Sequence, residues 1–336
     1  MASLQIGHGA TTLHHWAGIL DGRHTYEKLA ELFDNDDQFS NAKKRIEEAD
    51  TLIIDEISML SLKVFEMVEF VCRHVKKNTK IFGGIQVIGC GDFKQLPPVP
   101  NRRYDDHGAY CFESDKFNLS FPHHINLIEV VRQHEVMLIK AVNQLCVVPD
   151  EQTVSFLKQL DRPLNVPNHE VTKLFGTNFD AQFINHEMLE EIDEDLVVYK
   201  AEDEGNVRIL RDCVAPKSLL LKKGAKVILV KNITQGLCNG MQGVVHHVAK
   251  DSLPIIMIIN FNGKLVTLER ASFDVFDLKQ QKNLASRKQF PVILAFALTV
   301  HRAQGQTLQN VEVDSFSFFA PGQMGVAVGC AVSIDG

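Results

Sequence analysis

Apolar and polar residues in the first third of the chain follow two periods in turn. Thr51-Leu52-Ile53-Ile54 is a short, β-branched run with Asp50 before it, the pattern of a buried strand, and Asp55 and Glu56 stand at its C-terminal end. Over residues 61–77 the apolar positions Leu62, Phe65, Val68, Cys72 and Val75 recur every three or four residues, which predicts a helix with one buried stripe and with Lys76 and Lys77 at its negative end. Gly83-Gly84 interrupts, residues 85–90 read as the next strand, and Gly91-Asp92-Phe93 ends it. Beyond a loop marked by Pro97, Pro98 and Pro100, the pattern predicts a short strand at 127–131 and a helix over 136–146. Residues 173–178 followed by a helix at 181–192 repeat the alternation. Strands alternating with helices predict an α/β fold with a parallel sheet covered on both faces.

The pattern changes at about residue 217. Short β-rich runs at 225–230, 243–248, 255–261 and 264–268 are separated by Asn239-Gly240 and Asn262-Gly263, both hairpin signals, so a small β-barrel or meander is expected as an insertion. The apolar run 290–300 then leads into His301-Arg302-Ala303-Gln304-Gly305-Gln306-Thr307-Leu308 and restores the α/β pattern. Length adds a soft expectation of about two domains for 336 residues. The longest apolar runs, 253–259 and 290–300, fall short of the roughly 18 residues of a membrane span, and the first residues lack a secretory signal, so an intracellular protein is expected. Seven cysteines without a C-x-x-C pair suggest neither zinc nor disulfides. A net charge of −7 excludes a wholly basic nucleic-acid coat, yet charge is segregated: 187–204 is acidic, whereas Arg208, Arg211, Lys217, Lys222, Lys223, Lys226 and Lys231 face only Asp212. Each run, taken alone, also reads as a solvated face.

Candidate chemistry collects at strand ends. A carboxylate leaving a buried strand is where nucleotide-binding sheets hold Mg²⁺, so Asp55 is a candidate metal ligand through water and Glu56 a candidate base toward attacking water; an acid pair that merely ends the strand is the alternative. Gly91-Asp92-Phe93-Lys94-Gln95-Leu96-Pro97-Pro98-Val99 also follows a strand, and Asp92 and Gln95 are placed to meet a nucleotide, with a surface turn as the bland reading. Arg132, leaving the 127–131 run, offers a planar cation for a γ-phosphate or else a surface salt bridge. His301, Gln304, Gly305 and Thr307 at a strand-to-helix junction suit phosphate contacts, and in the segment opened by Thr12 the ring of Trp16 with His14 suits stacking on bases, each against the reading of a capped helix or a core corner.

Together and in order, these segments resemble the petite-integration-frequency (Pif) family of ATP-dependent DNA helicases, in the RecD-like group of superfamily one. Thr12 to Gly18 is similar to the family's motif Ia, Asp55-Glu56-Ile57-Ser58 to motif II, Gly91 to Val99 to motif III, Glu129 to Gln133 to motif IV, and His301 to Leu308 to motif V. Thr177-Asn178 with Ile184-Asn185 resembles the opening of the second lobe, and Leu221 to Leu229 with Asn239-Gly240 and Gly243-Val244-Val245 the β-rich insertion.

The resemblance implies two RecA-like P-loop NTPase lobes, the first over 1–130, the second over 131–215 and 290–336, with an SH3-like β-rich insertion at 216–289. It implies ATP and Mg²⁺ as cofactors, with Asp55, Glu56, Gln95 and Arg132 as catalytic residues and Asp92, Gln95, Arg132 and Gly305 against the nucleotide. Single-stranded and forked DNA would be the partners, touched by Thr12, His14, Pro97, Lys222, Lys223, His301, Gln304 and Thr307. The implied activity is 5′ to 3′ unwinding by a monomer in repair, recombination and telomere maintenance, in the nucleus or the mitochondrion. Two departures bear on this. No G-x-x-x-x-G-K-[ST] occurs, Gly7-His8-Gly9 having neither the lysine nor the spacing, and Cys330 stands where motif VI carries arginine. Both predict that these 336 residues alone hydrolyse ATP no faster than buffer, as a piece of a longer helicase or as a strand-binding scaffold without turnover.

Overall fold

The structure is a computed structural model that describes residues 11–233, 237, 239–250, 253–258, 263–277 and 282–336. Gly7, Gly9, Cys238 and Asn262 lie outside the described residues. The chain forms two compact units; within the described residues the N-terminal unit comprises 11–156 with 320–326, and the C-terminal unit the remainder. The units divide at Phe156/Leu157, well beyond the expected first boundary at 130, and a short segment near the C-terminus joins the N-terminal unit.

In the N-terminal unit, helices α1 (Leu13–Ala17), α2 (Tyr26–Asn35) and α3 (Ser40–Glu48) precede β1 (Thr51–Ile54), α4 (Leu62–Lys76) and β2 (Gln86–Gly89). Shorter α5 (Phe117–Ser120), then α6 (Val136–Leu145) and α7 (Glu151–Gln159), follow. The expected stripe of α4 is realised: Phe65, Val68, Cys72 and Val75 are buried, and Val64, Met67 and Val71 widen it. Ser61 starts this helix. Its Oγ accepts from Val64 N at 3.2 Å and donates to the buried Asp106 at 2.6 Å, satisfying a donor that every helix start leaves open. Glu69 is fully buried on the same helix and is held by Arg73 at 2.6 Å, Lys116 at 3.3 Å and the Phe82 N–H at 3.3 Å.

β1 and β2 pair in parallel, with Ile53 opposite Ile88. Leu52 and Ile54 join the core cluster of Phe65 and Val68, but Ile53 is 58% exposed and Ile88 41%. The expected fully buried strand is therefore covered on one face only among the described residues. The strand expected at 127–131 does not form. Residues 121–131 hold no helix or strand and have no ladder partner among the described residues, and Leu127, Ile128 and Val131 lie exposed. A β-branched run without a neighbouring edge to pair with has no hydrogen bonds to hold it as a strand.

The C-terminal unit contains a parallel sheet in the order β14 (Ala297–Thr299), β3 (Thr172–Phe175), β15 (Val311–Val313). Helix α8 (Asn178–Glu190) is locked to it by Asn185, whose amide donates to Ala297 O at 2.8 Å and accepts from Ala297 N at 3.0 Å. The β-rich region is β4 (Val197–Lys200), β5 (Glu202–Gly205), β6 (Ser218–Leu221), β7 (Lys226–Leu229), β8 (Gln242–His247), β9 (Ile255–Ile258), β10 (Lys264–Thr267), β11 (Ala271–Asp277), β12 (Lys282–Gln289) and β13 (Val292–Leu294). They build a five-stranded antiparallel sheet β10-β9-β8-β7-β13, a three-stranded sheet β11-β12-β5 and the pair β4-β6. β7 pairs antiparallel with β8 and β9 with β10; the expected turn at Asn239-Gly240 lies just before β8, and the one at 262–263 falls partly outside the described residues. The apolar run 290–300 is two strands rather than one element: β13 closes the β-rich sheet against β7, and β14 enters the parallel sheet. The β-rich part thus reaches residue 294, past the expected limit of 289. Two short helices, α9 (Val300–Ala303) and α10 (Gln323–Gly329), end the chain's regular structure.

Candidate nucleotide and nucleic-acid sites

In the N-terminal unit the two parallel strands deliver their C-terminal residues side by side. Cys90 N donates to Ile54 O at 2.8 Å, and Ile57 N donates to Cys90 O at 2.9 Å, so Asp55-Glu56 and Gly91-Asp92 leave one sheet edge together. Glu56 holds a left-handed backbone, φ 53° and ψ 43°, uncommon for a side chain larger than Asn and tied here to the Asp55 carboxylate, which accepts from Glu56 N at 2.9 Å. Gly91, at φ +154°, passes so close that a Cβ would sit 2.9 Å from Ile57 N. Gly91→Ala is therefore expected to cost about 1–3 kcal/mol in urea unfolding; an unchanged midpoint would show that the approach relaxes freely.

The loop after β2 is built by its own side chains. Asp92 accepts from Lys94 N at 2.9 Å, and Gln95 N donates to Asp92 O at 3.0 Å. Gln95 and Pro97 stay half-buried while Leu96 is fully buried. Gly322, at φ +80°, lies against this loop with room for no Cβ, which would fall 2.6 Å from Gln95 O. Arg132 is exposed, with the buried Gln133 beside it. Thr12 caps α1 by accepting from His15 N at 3.4 Å. His14 is half-buried, and burial lowers its pKa against the pull of Asp21 and Asp106.

Among the described residues no group of three or more His, Cys, Asp or Glu side chains could hold a metal. A hard divalent ion bound through one carboxylate, waters and phosphate oxygens asks for less, and the exposed Asp55, whose Oδ1 alone is engaged, fits that demand. The sequence offers no glycine-rich turn with a following lysine to surround the phosphates.

In the C-terminal unit the β14-to-α9 junction carries Thr299, His301 and Arg302. His301 stacks on Phe319 at 6.2 Å between ring centroids, and burial lowers its pKa. Thr307 is exposed, Gly305 turns at φ 74°, and Gln304 is buried at 5% exposure, inside the unit. Cys330, 1% exposed, donates its thiol to Ala303 O at 3.3 Å.

Lys222 and Lys223 serve the end of α8. Lys222 Nζ donates to Ile192 O at 2.7 Å and Glu190 O at 3.4 Å, and Lys223 pairs with Glu194 at 3.6 Å. The basic run instead delivers Arg208, Arg211 and Lys217 to a cavity of about 790 Å³, where they meet Arg302 and Thr299. Arg302 stood inside a motif read from sequence, but its neighbours were singled out in its place. Burial lowers its pKa.

Known proteins carry the same arrangement. The family described as PIF1-like helicase matches residues 1–145, and that described as DNA helicase Pif1, 2B domain, matches 206–248. The solved Pif1 helicase from Candida albicans is similar over 98% of this chain and 79% of its own, with a TM-score of 0.86 and 33% identity. Bacteroides Pif1 in complex with ADP-AlF3 and ssDNA aligns with a TM-score of 0.82 and 26% identity, covering 98% of this chain and 78% of that one. The class defined is a RecA-like α/β protein with a β-rich insertion. The chain belongs to the PIF1-like helicase family. The ATP-dependent DNA helicase PIF1 of Danio rerio is 33% identical over 98% of this chain and 51% of its own length; the chain spans about half the length of the relatives it matches.

Proposed function

We propose that this chain belongs to the working part of an ATP-dependent DNA helicase that moves 5′ to 3′ along single-stranded DNA and opens forked duplex. The observation that carries this reading is the sheet edge where Asp55-Glu56 and Gly91-Asp92 emerge side by side, fixed by the Cys90–Ile54 and Ile57–Cys90 hydrogen bonds. Asp55 would hold Mg²⁺ through water, Glu56 would take a proton from the attacking water, and Gln95 and Arg132 would meet the phosphates. In the C-terminal unit the junction carrying Thr299, His301 and Arg302, with the exposed Thr307, would face the strand.

Phosphate release by the 336-residue chain, with and without an oligothymidylate, tests the reading. Release that rises with the strand is expected of a helicase. A strand-binding scaffold without turnover is the second reading, favoured by Cys330: a buried thiol engaged with Ala303 O offers no cation to a transferring phosphoryl group, where arginine fingers contribute on the order of 10³ in rate. Strand binding with release at the level of buffer would establish that reading for this chain.

A further inference from the structure

Beside the cavity of the C-terminal unit lies a surface that no motif accounts for. Thr177 caps α8, accepting from Asp180 N at 3.3 Å. One side of the helix, through Asn178, Gln182 and His186, lines the cavity. At about 100° per residue, Phe179 and Phe183 lie roughly 20° and 60° beyond His186 around the helix axis, so they form the rim next to it. Both rings stand in solvent, Phe179 at 78% and Phe183 at 57% exposure. They are one helical turn apart, about 6 Å along the axis. Large aromatic rings in water on a helix are costly unless something covers them.

The cavity's charge is one-sided. Arg208, Arg211, Lys217, Arg287 and Arg302 line it, and among the side chains described there no Asp or Glu does. Arg287 is committed to Asp203, at 2.7 Å, and Lys217 also feels that carboxylate. Arg208, Arg211 and Arg302 are left facing the space, above an apolar floor that includes Leu210 and Leu298. Of the nearby acids on α8, Glu187 lies about 40° and Asp180 about 60° beyond Phe183 around the axis, on the side of the aromatic rim away from the cavity. Glu190 shares the aromatic side, about 10 Å further toward the C-terminus, and bounds the surface there.

Cations in a groove beside exposed aromatic rings are the combination that holds single-stranded nucleic acid: every base has a face to stack, and every phosphate a charge to neutralise. We propose that Phe179 and Phe183 stack successive unpaired bases of a DNA strand while Arg208, Arg211 and Arg302 hold the adjoining phosphates in the cavity. The proposal rests on the strand-translocating reading above and names the surface of this unit that grips the strand. Of the five side chains only Arg302 belongs to a helicase motif; the other four lie outside them.

Fluorescence anisotropy of a labelled oligothymidylate with the full chain tests it. The F179A/F183A chain is expected to bind about tenfold more weakly per ring lost, at an unchanged salt slope, and F179W/F183W to restore affinity. R208A/R211A is expected to lower the slope of log K against log salt by about 1.4, at roughly 0.7 per phosphate contact on a single strand. A 2-aminopurine base in the strand should be quenched by the unmodified chain and not by F179A/F183A. All five side chains except the half-buried Arg302 are exposed, so the two double variants are expected to keep the parent's unfolding midpoint. If the unmodified chain binds no strand, the functional reading falls and the proposal with it. If it binds and both double variants bind equally well, the proposal alone falls, and the aromatic rim belongs to a protein partner instead. Displacement of the strand by dTMP at comparable concentration would likewise overturn it, in favour of a pocket for free nucleotides.

Discussion

In the chain supplied with the phosphate-binding loop it lacks, Glu56→Gln is expected to lower strand-stimulated ATP hydrolysis by about 10²–10⁴ while leaving strand affinity within a factor of two or so. The substitution removes the carboxylate's capacity to accept a proton. Glutamine keeps the length of the side chain, and it adopts the left-handed backbone at φ 53° no less readily than glutamate. The fold around it is secured elsewhere, by the Asp55 carboxylate on Glu56 N and by Ile57 N on Cys90 O. A carboxylate so placed acts through its proton affinity, so the loss should appear in kcat with KM for ATP little changed, the signature of an interaction made in the transition state. Steady-state phosphate release at saturating oligothymidylate measures it. Turnover within a few-fold of the parent would remove Glu56 from the chemistry and leave the acid pair as a strand terminator.

What the sequence made legible follows from which signals are local. The α4 stripe is set by residues a few positions apart, and the structure follows it; the two Asn-Gly signals likewise fall between strands that pair antiparallel, β7 with β8 and β9 with β10. The strand exits at Asp55 and Gly91 were legible for the same reason: a short β-branched run ended by polar residues marks a sheet edge without knowledge of its neighbours. The run at 127–131 has equal β propensity and stays irregular and exposed, because a strand is defined by the edge it pairs with, which periodicity does not report.

The proposed strand surface is half legible. The basic run contains its arginines, but Lys222 and Lys223 follow β6, where Lys222 reaches the carbonyls of Glu190 and Ile192 and Lys223 pairs with Glu194. Arg208 and Arg211, in the helical turn before β6, are the ones that reach the cavity. Phe179 escaped because the helix was expected to begin at 181. The signal was available: Thr177 with Asp180 three residues on is a helix start of the capping type, and it places Phe179 and Phe183 on one face.

Asp203→Ala is expected to destabilise the C-terminal unit by about 3–5 kcal/mol at neutral pH, the cost of stranding a buried charge. Arg287 is 5% exposed and sits opposite Asp203 across the β5–β12 ladder. Its guanidinium grips the carboxylate with two bonds, at 2.7 and 2.8 Å, and donates a third to Ala215 O at 3.0 Å. Without Asp203 that cation keeps one carbonyl and little water. Replacing both residues, as in D203A/R287M, should recover most of the loss, since an apolar pair of similar volume carries no desolvation cost. The pH dependence has a definite sign. The hydrogen bonds from Arg287 hold the Asp203 carboxyl below the ordinary carboxylate range, so the folded pKa lies under the unfolded one. The pair therefore contributes fully above the unfolded value, near 4, and its contribution fades as pH falls through the folded pKa. Urea midpoints of the parent and of D203A should differ most at pH 6–8 and converge in acid. A gap that is constant with pH would mean that the alanine variant loses packing rather than the ion pair.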